Sequence, residues 1–259
     1  MLFRSALERH RPRVVYLQPT FQNPTTTVLS AARRREVLAL AERFRCVVVE
    51  DDWAGDLRFE GSDLPTLHEL DGGRHVIYVS TFSKKLIPGL RIGWVAAPAP
   101  VLERVVTLKQ IQDCGTSPVL QAALHAFVEA GGLESHLVRA RRAYRERRDA
   151  MIDALGRFFP ADASWTRPAG GLFTWVSMPV GFDSVELLSV ARERGVLFNT
   201  GDLFRADGSG RNCLRLSYGG VPRDRIDAGV EVLGTIIKER WPGAGRVAAG
   251  RRAEAVPIL

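Results

Sequence analysis

One short stretch of the sequence brings together lysine, hydroxyl and arginine side chains. Residues 80–94 read Ser-Thr-Phe-Ser-Lys-Lys-Leu-Ile-Pro-Gly-Leu-Arg-Ile-Gly-Trp. The β-branched and aromatic run at 76–79 predicts a buried strand before it, and residues 91–97 predict a second strand after it. The Pro-Gly pair between them predicts a turn. We therefore expect Lys84 just past a strand end, where α/β folds place their chemistry.

The neighbours of Lys84 indicate what it could hold. The hydroxyls of Thr81 and Ser83 and the guanidinium of Arg91 suit a phosphate. A lysine removed from water near another cation can lose its proton and attack a carbonyl. A phosphorylated carbonyl compound held by a lysine describes pyridoxal 5'-phosphate (PLP), so we predict a Schiff base on Lys84. Candidates are few, because the chain has four lysines beside 32 arginines. The alternative is a solvated Lys84-Lys85 pair in a surface loop.

The stretch as a whole resembles the lysine segment of fold-type I PLP enzymes, the class I/II aminotransferases. The resemblance lies in Ser-Lys followed by Pro-Gly-Leu-Arg-x-Gly-Trp. An Asn-Pro-Thr loop at 23–25 and an acidic strand end at 50–52 precede it in the family's order. Pro-x-Gly-Gly-x-Phe-x-Trp at 168–175 and Arg-Leu-Ser at 215–217 follow it. The resemblance implies transfer of an amino group between an amino acid and a 2-oxoacid.

The same resemblance implies roles for individual residues. Asn23 would contact the cofactor's phenolic oxygen and the substrate, and Asp51 would pair with the protonated pyridine nitrogen. Asp51 is preferred to Asp52 because the family uses the first of such a pair, and a strand alternates its faces. Arg215 would bind the substrate α-carboxylate with its two-pronged guanidinium. Lys84 would act as general base and acid. No metal site is expected.

One position departs from the family pattern. Many aminotransferases carry a tyrosine where this chain has Ala54, and Trp53 is either a packing residue or part of the cofactor site. Asp56-Leu-Arg-Phe at 56–59 fits aminoadipate-type aminotransferases and the aminotransferase-like domains of MocR-type (GntR-type) regulators. The alternative function is therefore a non-catalytic, effector-sensing domain of such a regulator.

The resemblance also implies the architecture. We expect the α/β PLP-dependent transferase fold, with an incomplete large domain holding a mostly parallel sheet and a small α+β C-terminal domain. The expected bounds are 1–132 for the large domain, 133–241 for a connector helix with the small domain, and 242–259 for a disordered tail. The family's large domain begins well upstream of its Asn-Pro-Thr loop. We therefore expect a truncated chain or one completed by a partner, with weakened PLP binding and poor turnover.

Composition narrows the remaining classes. The net charge of +7 comes mainly from arginines, whose densest runs at 33–35 and 139–148 are expected on solvated helix faces. A third possible function is that of a basic protein that binds nucleic acid. No recognised nucleic-acid-binding motif accompanies the positive charge, so we expect no nucleic acid to bind this chain. No apolar window suits a membrane span, which predicts a cytoplasmic protein. Three scattered cysteines predict no disulfide framework, and Cys46 is expected in the core. A homodimer is expected from the family.

Hydrophobic periodicity predicts the remaining elements. A strand–helix–strand unit should pair in parallel, with Ser30 as the helix N-cap. The predicted strands are 13–18, 46–49, one beginning near 165, 196–198 and 213–217. The predicted helices are 30–45, 98–113, 117–132, 133–159, 184–194 and 222–240, and a short helix is possible within 61–73.

Overall fold

The computed structural model describes residues 2–242, which divide into two compact units. The first comprises residues 2–22 and 27–141, and the second comprises residues 23–26 and 142–242. The long helix α6 (Gly132–Phe158) contributes residues to both units. The predicted domain boundary at residue 133 stays a prediction. The predicted tail at 242–259 lies, apart from its first residue, outside the described residues.

The first unit contains a four-stranded sheet in the order β1-β2-β3-β4. The β1–β2 and β2–β3 pairings are parallel and the β3–β4 pairing is antiparallel, which confirms the mostly parallel sheet. The strands are β1 (Val14–Leu17), β2 (Val47–Asp51), β3 (Val76–Thr81) and β4 (Gly93–Ala96). The helices are α1 (Leu2–His10), α2 (Ala31–Phe44), α3 (Leu67–Asp71), α4 (Ala99–Asp113) and α5 (Pro118–Glu129).

Local sequence signals explain where these helices begin and end. Ser30 caps α2 as predicted, because its hydroxyl accepts a hydrogen bond from the amide of Arg33. Thr66 and Glu69 form a reciprocal capping box at the start of α3. A core from α1, α2, α3, β2 and β3 includes Cys46, as expected. The buried members of this core are Leu7, Val37, Leu40, Ala41, Cys46, Val48, Leu67 and Val76.

The second unit is an α+β arrangement around an antiparallel sheet in the order β5-β6-β8-β7. Its strands are β5 (Ser164–Trp165), β6 (Phe173–Ser177), β7 (Asn199–Thr200) and β8 (Cys213–Ser217). The later part of α6 and helices α7 (Ser184–Glu193) and α8 (Arg223–Arg240) provide the rest of its core. The predicted strand at 196–198 is wrong by a few residues, because the pairing with β8 falls on β7 instead.

Burial contradicts several expectations drawn from periodicity. The apolar residues of β1 suit a buried strand, but β1 lies at the edge of its sheet and Val14 and Tyr16 are mostly exposed. Three apolar residues of α4, Val106, Leu108 and Ile111, are also exposed, with Ile111 78% accessible. The arginine runs are not uniformly solvated, since Arg34 and Arg148 have no accessible surface. Periodicity reports which residues share a face, but it does not report what packs on that face.

Oxygen atoms surround the buried guanidinium of Arg34 and accept its hydrogen bonds. Its guanidinium donates to the carbonyls of Leu29, Pro65 and Pro19 and to the hydroxyl of Thr20, at 2.7–3.2 Å. Glu50, also buried, lies 3.9 Å away. A buried charge is tolerated when hydrogen bonds and a counter-ion replace its water. This arginine therefore ties the segments on both sides of the Asn-Pro-Thr loop to the end of β2.

No helix within residues 2–242 combines the length and the apolar character needed to cross a bilayer.

Candidate active site

Lys84 lies in the turn that follows β3, and its side chain is exposed. Within residues 2–242, no hydrogen-bond or ion-pair partner meets its ammonium group. Lys84 is thus in contact with water in this chain, contrary to the expectation of a lysine removed from water. The amine is therefore available to an incoming carbonyl compound without first breaking an internal ion pair.

Beside Lys84, two hydroxyls and a guanidinium form one cluster. The Oγ1 of Thr81 lies 3.0 Å from the Oγ of Ser83 and accepts a hydrogen bond from the Ser83 amide at 3.1 Å. Nη1 of Arg91 donates to the same Ser83 Oγ at 3.3 Å. Arg91 adopts the left-handed conformation (φ 53°) that non-glycine residues rarely use. This conformation accompanies the folding of its side chain over the turn. Hydroxyl and guanidinium donors of this kind suit a phosphate.

Asp51 ends β2 and is held by two residues of the neighbouring strand segment. Its Oδ2 accepts hydrogen bonds from Gln18 Nε2, at 2.7 Å, and from the Tyr16 hydroxyl. Partial burial of that hydroxyl, together with the hydrogen bond and the charge of Asp51, raises the pKa of Tyr16 to about 12. Tyr16 therefore stays protonated and remains a donor, which fixes the orientation of the carboxylate.

Asp52 has a different set of partners from Asp51. Its Oδ2 accepts from the Tyr78 hydroxyl at 2.9 Å, and its backbone carbonyl accepts from Ser80 Oγ at 2.7 Å. Burial raises the pKa of Asp52, and the Tyr78 hydrogen bond opposes that rise. The two carboxylates thus belong to separate surroundings, as the alternation of a strand requires.

Strand register brings Asp51 and the Lys84 turn to the same edge of the sheet. Asp51 pairs with Val79, two residues before β3 ends at Thr81. Because β2 and β3 run in parallel, their carboxyl ends share that edge, and the turn carrying Ser83 and Lys84 follows directly. The first unit therefore presents an amine, a carboxylate and hydrogen-bond donors suited to a phosphate at the edge of the sheet where β2 and β3 end. These are the groups that PLP requires, so the residues present fit this cofactor.

Arg215 belongs to the second unit, in β8 between the buried Leu214 and Leu216. Its Nη1 donates to Asn23 Oδ1 at 2.6 Å and its Nη2 donates to Asn199 Oδ1 at 2.7 Å. Among the described residues, its buried Nε has no hydrogen-bond partner. Burial lowers the pKa of Arg215. Since an arginine pKa starts far above neutrality, the guanidinium remains a cation.

Two phenyl rings complete the surroundings of Arg215. The ring of Phe173 lies 4.0 Å from the guanidinium carbon and that of Phe204 lies 4.8 Å away. Cation–π contacts of this kind hold a planar guanidinium in a fixed plane. A fixed fork already donating to two amide oxygens is suited to the two oxygens of a carboxylate.

Sequence reasoning did not identify several of these residues. Tyr16 and Gln18 are polar residues two apart on a strand, a spacing that places both on one face and could have been noticed. Nothing in the sequence marks Asn199, because its partner Arg215 is 16 residues away along the chain. Trp53 is 7% accessible and Ala54 is fully buried. Among residues 2–242, no three metal-binding side chains form a cluster that could hold an ion.

The comparisons with known proteins agree with this architecture. A family model described as aminotransferase class I and II matches residues 3–233. The chain belongs to the aminotransferase class I and II family.

Relatives of two kinds are similar to this chain. The aromatic-amino-acid aminotransferase 1 of Thermococcus litoralis is 37% identical over 232 residues, covering 90% of this chain and 56% of the relative. The uncharacterized HTH-type transcriptional regulator YisV of Bacillus subtilis is 38% identical over 234 residues, covering 89% of this chain and 47% of the regulator.

One of the similar solved structures contains a bound phosphopyridoxyl amino acid. The α-aminoadipate aminotransferase LysN of Thermus thermophilus, complexed with N-(5'-phosphopyridoxyl)-L-leucine, superposes with a TM-score of 0.88. It is 39% identical in sequence, and the match covers 92% of this chain and 62% of LysN. The chain thus spans less than two thirds of the length of each of these proteins.

Proposed function

We propose that this chain is a PLP-dependent aminotransferase that moves an amino group between an amino acid and a 2-oxoacid. The observation that carries the proposal is the exposed, unpaired Lys84 amine next to the Thr81–Ser83–Arg91 cluster, at the sheet edge that Asp51 also occupies. Membership of the aminotransferase family supports it. So does the similarity to a structure described as a complex with a phosphopyridoxyl amino acid.

In this proposal, Lys84 has the central role. When bound, PLP supplies an aldehyde for covalent attachment and an electron-withdrawing ring. Nζ of Lys84 provides the attaching amine and, once released, removes a proton from the substrate α-carbon and later returns one. Thr81, Ser83 and Arg91 bind the phosphate through hydroxyl and guanidinium donors. Asp51 holds a proton at the ring nitrogen, and Tyr16 and Gln18 keep its carboxylate in place.

Arg215 and Asn23 would select the substrate. The guanidinium binds the α-carboxylate that amino acids and 2-oxoacids share, while the Asn23 amide contacts the cofactor's phenolic oxygen and the substrate. Support comes from the amide oxygens that Arg215 already contacts in the second unit. The aminoadipate and aromatic amino acids in the names of the relatives are candidate substrate classes.

Reductive trapping tests the proposal directly. The protein is incubated with PLP, reduced with borohydride and digested, and the phosphopyridoxyl group is located by peptide mass spectrometry. We expect the label on Lys84, a loss of label in Lys84→Ala, and full labelling in Lys109→Ala, which changes a partly exposed lysine of α4. Formation of a 2-oxoacid from an amino acid should disappear with the same Lys84 change. A label spread evenly over the lysines would contradict the proposal.

A second candidate function is an effector-sensing domain of a MocR-type regulator. The similarity to YisV and the alanine at position 54 favour it. In that case an amino acid should change the absorbance of the lysine-bound cofactor without releasing any 2-oxoacid. Sustained 2-oxoacid release over many turnovers would exclude this alternative.

We also propose a homodimer and a cytoplasmic location. Both rest on the family resemblance and on composition rather than on contacts within the chain. Light scattering coupled to size-exclusion chromatography tests the first: a mass near twice 28.6 kDa is expected, and a mass equal to one chain would contradict it.

A further inference from the structure

Two adjacent lysines in the turn after β3 have opposite surroundings. Lys84 is exposed, whereas Lys85 is 2% accessible. The turn that contains both is closed by a hydrogen bond from the amide of Leu86 to the carbonyl of Phe82, at 2.9 Å. A buried ammonium group is costly unless partners replace its water. The partners of Lys85 therefore indicate what this turn is built to do.

Lys85 is fixed from several directions within the first unit. Its Nζ forms an ion pair with Asp56 and donates to Ser80 Oγ at 3.3 Å. It also lies 4.7 Å from the centre of the Trp94 ring on β4, a cation–π distance. Asp56 in turn is held through its backbone carbonyl, which accepts from Arg141 Nε at 2.7 Å. The lysine thus links the turn to β3, to β4 and to the segment after β2.

The same cluster reaches the strand end that carries Asp51. Ser80 Oγ, which accepts from Lys85, donates to the backbone carbonyl of Asp52. The positive charge of Lys85 also opposes the rise in the pKa of Asp52. Each of the two groups assigned to the cofactor, Asp51 and Lys84, is therefore followed in sequence by a residue that enters one shared polar cluster.

We propose that Lys85 is a positioning residue: its anchoring to Asp56 and Ser80 holds the turn so that Lys84 projects outward beside Ser83 and Arg91. The proposal rests on the proposed function for the role of Lys84. An apolar residue at position 85 could fill the same space, but it could not fix the turn by directed bonds to two other segments. Anchoring one lysine inward sets the exposure of its neighbour.

Hydrogen exchange of the whole protein without added cofactor tests the anchoring. Lys85→Met removes the ammonium but keeps an unbranched side chain of similar length, and Lys109→Met is the matched control at a partly exposed lysine that pairs with Asp113. Loss of a hydrogen bond to a charged group should speed exchange at residues 82–86 by about tenfold or more. Exchange in α2 should not change, and Lys109→Met should match the natural protein at both places.

Borohydride trapping with PLP provides the second readout. In Lys85→Met we expect a lower labelled fraction at Lys84 and a weaker circular dichroism signal from the bound chromophore, with the melting temperature as a check on the fold. Lys85→Arg, which keeps a cation and its donors, should restore most of both signals. Exchange and trapping that match those of Lys109→Met would overturn the proposal.

If Lys85→Met does not fold, Asp56→Asn decides the question, because it leaves the lysine in place and removes its anionic partner. Faster exchange at 82–86 in this variant supports the anchoring, and unchanged exchange overturns it. If the natural protein traps no PLP at Lys84, the proposed function fails. The exchange measurement still decides whether Lys85 fixes the turn.

Discussion

Substitution of Arg34 tests how the first unit stabilises the edge of its sheet where β2 ends. Arg34→Met removes four hydrogen bonds to oxygens at 2.7–3.2 Å and the partner of the buried Glu50. Four hydrogen bonds contribute about 1 kcal/mol each. Breaking a buried ion pair costs about 3–5 kcal/mol. Because both figures describe the loss of the same interactions, we expect the free energy of unfolding of the first unit to fall by about 3–5 kcal/mol and not by their sum.

The neighbouring arginine supplies a matched control. Arg33 is half exposed and pairs with Glu36 one turn along α2, so Arg33→Met should cost at most about 0.5 kcal/mol. Arg34→Lys keeps the charge but cannot donate in as many directions, and it should fall between the two. The two units need not unfold together, so hydrogen exchange of peptides from β1 and β2 is the appropriate measurement. Equal exchange in Arg34→Met and Arg33→Met would refute the reasoning.

The pH dependence of the stability of Arg34→Met provides a second test of this prediction. Burial raises the pKa of Glu50, and Arg34 is among the groups that oppose the rise. Without the arginine, the folded protein binds the Glu50 proton more tightly still. A carboxyl group whose pKa is raised in the folded state stabilises the folded protein when the pH is below the pKa of the unfolded state, about 4.3 for glutamate. This stabilisation is lost as the pH rises through the pKa of the folded state. The deficit of Arg34→Met should therefore shrink as the pH is lowered from neutrality, and Glu50→Gln should abolish that trend.

Three further changes have defined outcomes. Burial raises the pKa of Asp52, so the natural protein should lose melting temperature relative to Asp52→Asn as pH rises above about 4; parallel curves would contradict this. Asn199→Ala removes an acceptor from the guanidinium of Arg215, the group proposed to bind the substrate carboxylate, and should raise KM for the amino donor about tenfold; an unchanged KM would rule out that contribution. A methyl group on Gly93 would lie 2.7 Å from the Ser80 carbonyl, so Gly93→Ala should cost about 1–3 kcal/mol in urea unfolding. Gly89→Ala, which meets only a side-chain atom at 4.0 Å, is its control, and equal stability of the two variants would exclude the clash.

Much of the fold was predictable because its signals are local. The strand at β8, the cap of α2 and the break between β3 and β4 follow from alternation, capping and Pro-Gly chemistry over a few residues. The candidate site was predictable in part for the same reason, since Lys84, Thr81, Ser83 and Arg91 lie within one short stretch. Tyr16 and Asn199 are different, because each meets its partner only through strand pairing between distant segments.

The sequence by itself determined which residue types follow each strand, and hence the kind of chemistry this chain can carry. Only the tertiary structure decided which member of each adjacent pair is buried: Lys85 rather than Lys84, and Arg34 rather than Arg33. The physical reason is that two adjacent residues of the same type have the same intrinsic tendency to be buried. Their burial depends on oxygens and rings contributed by segments far away in the chain.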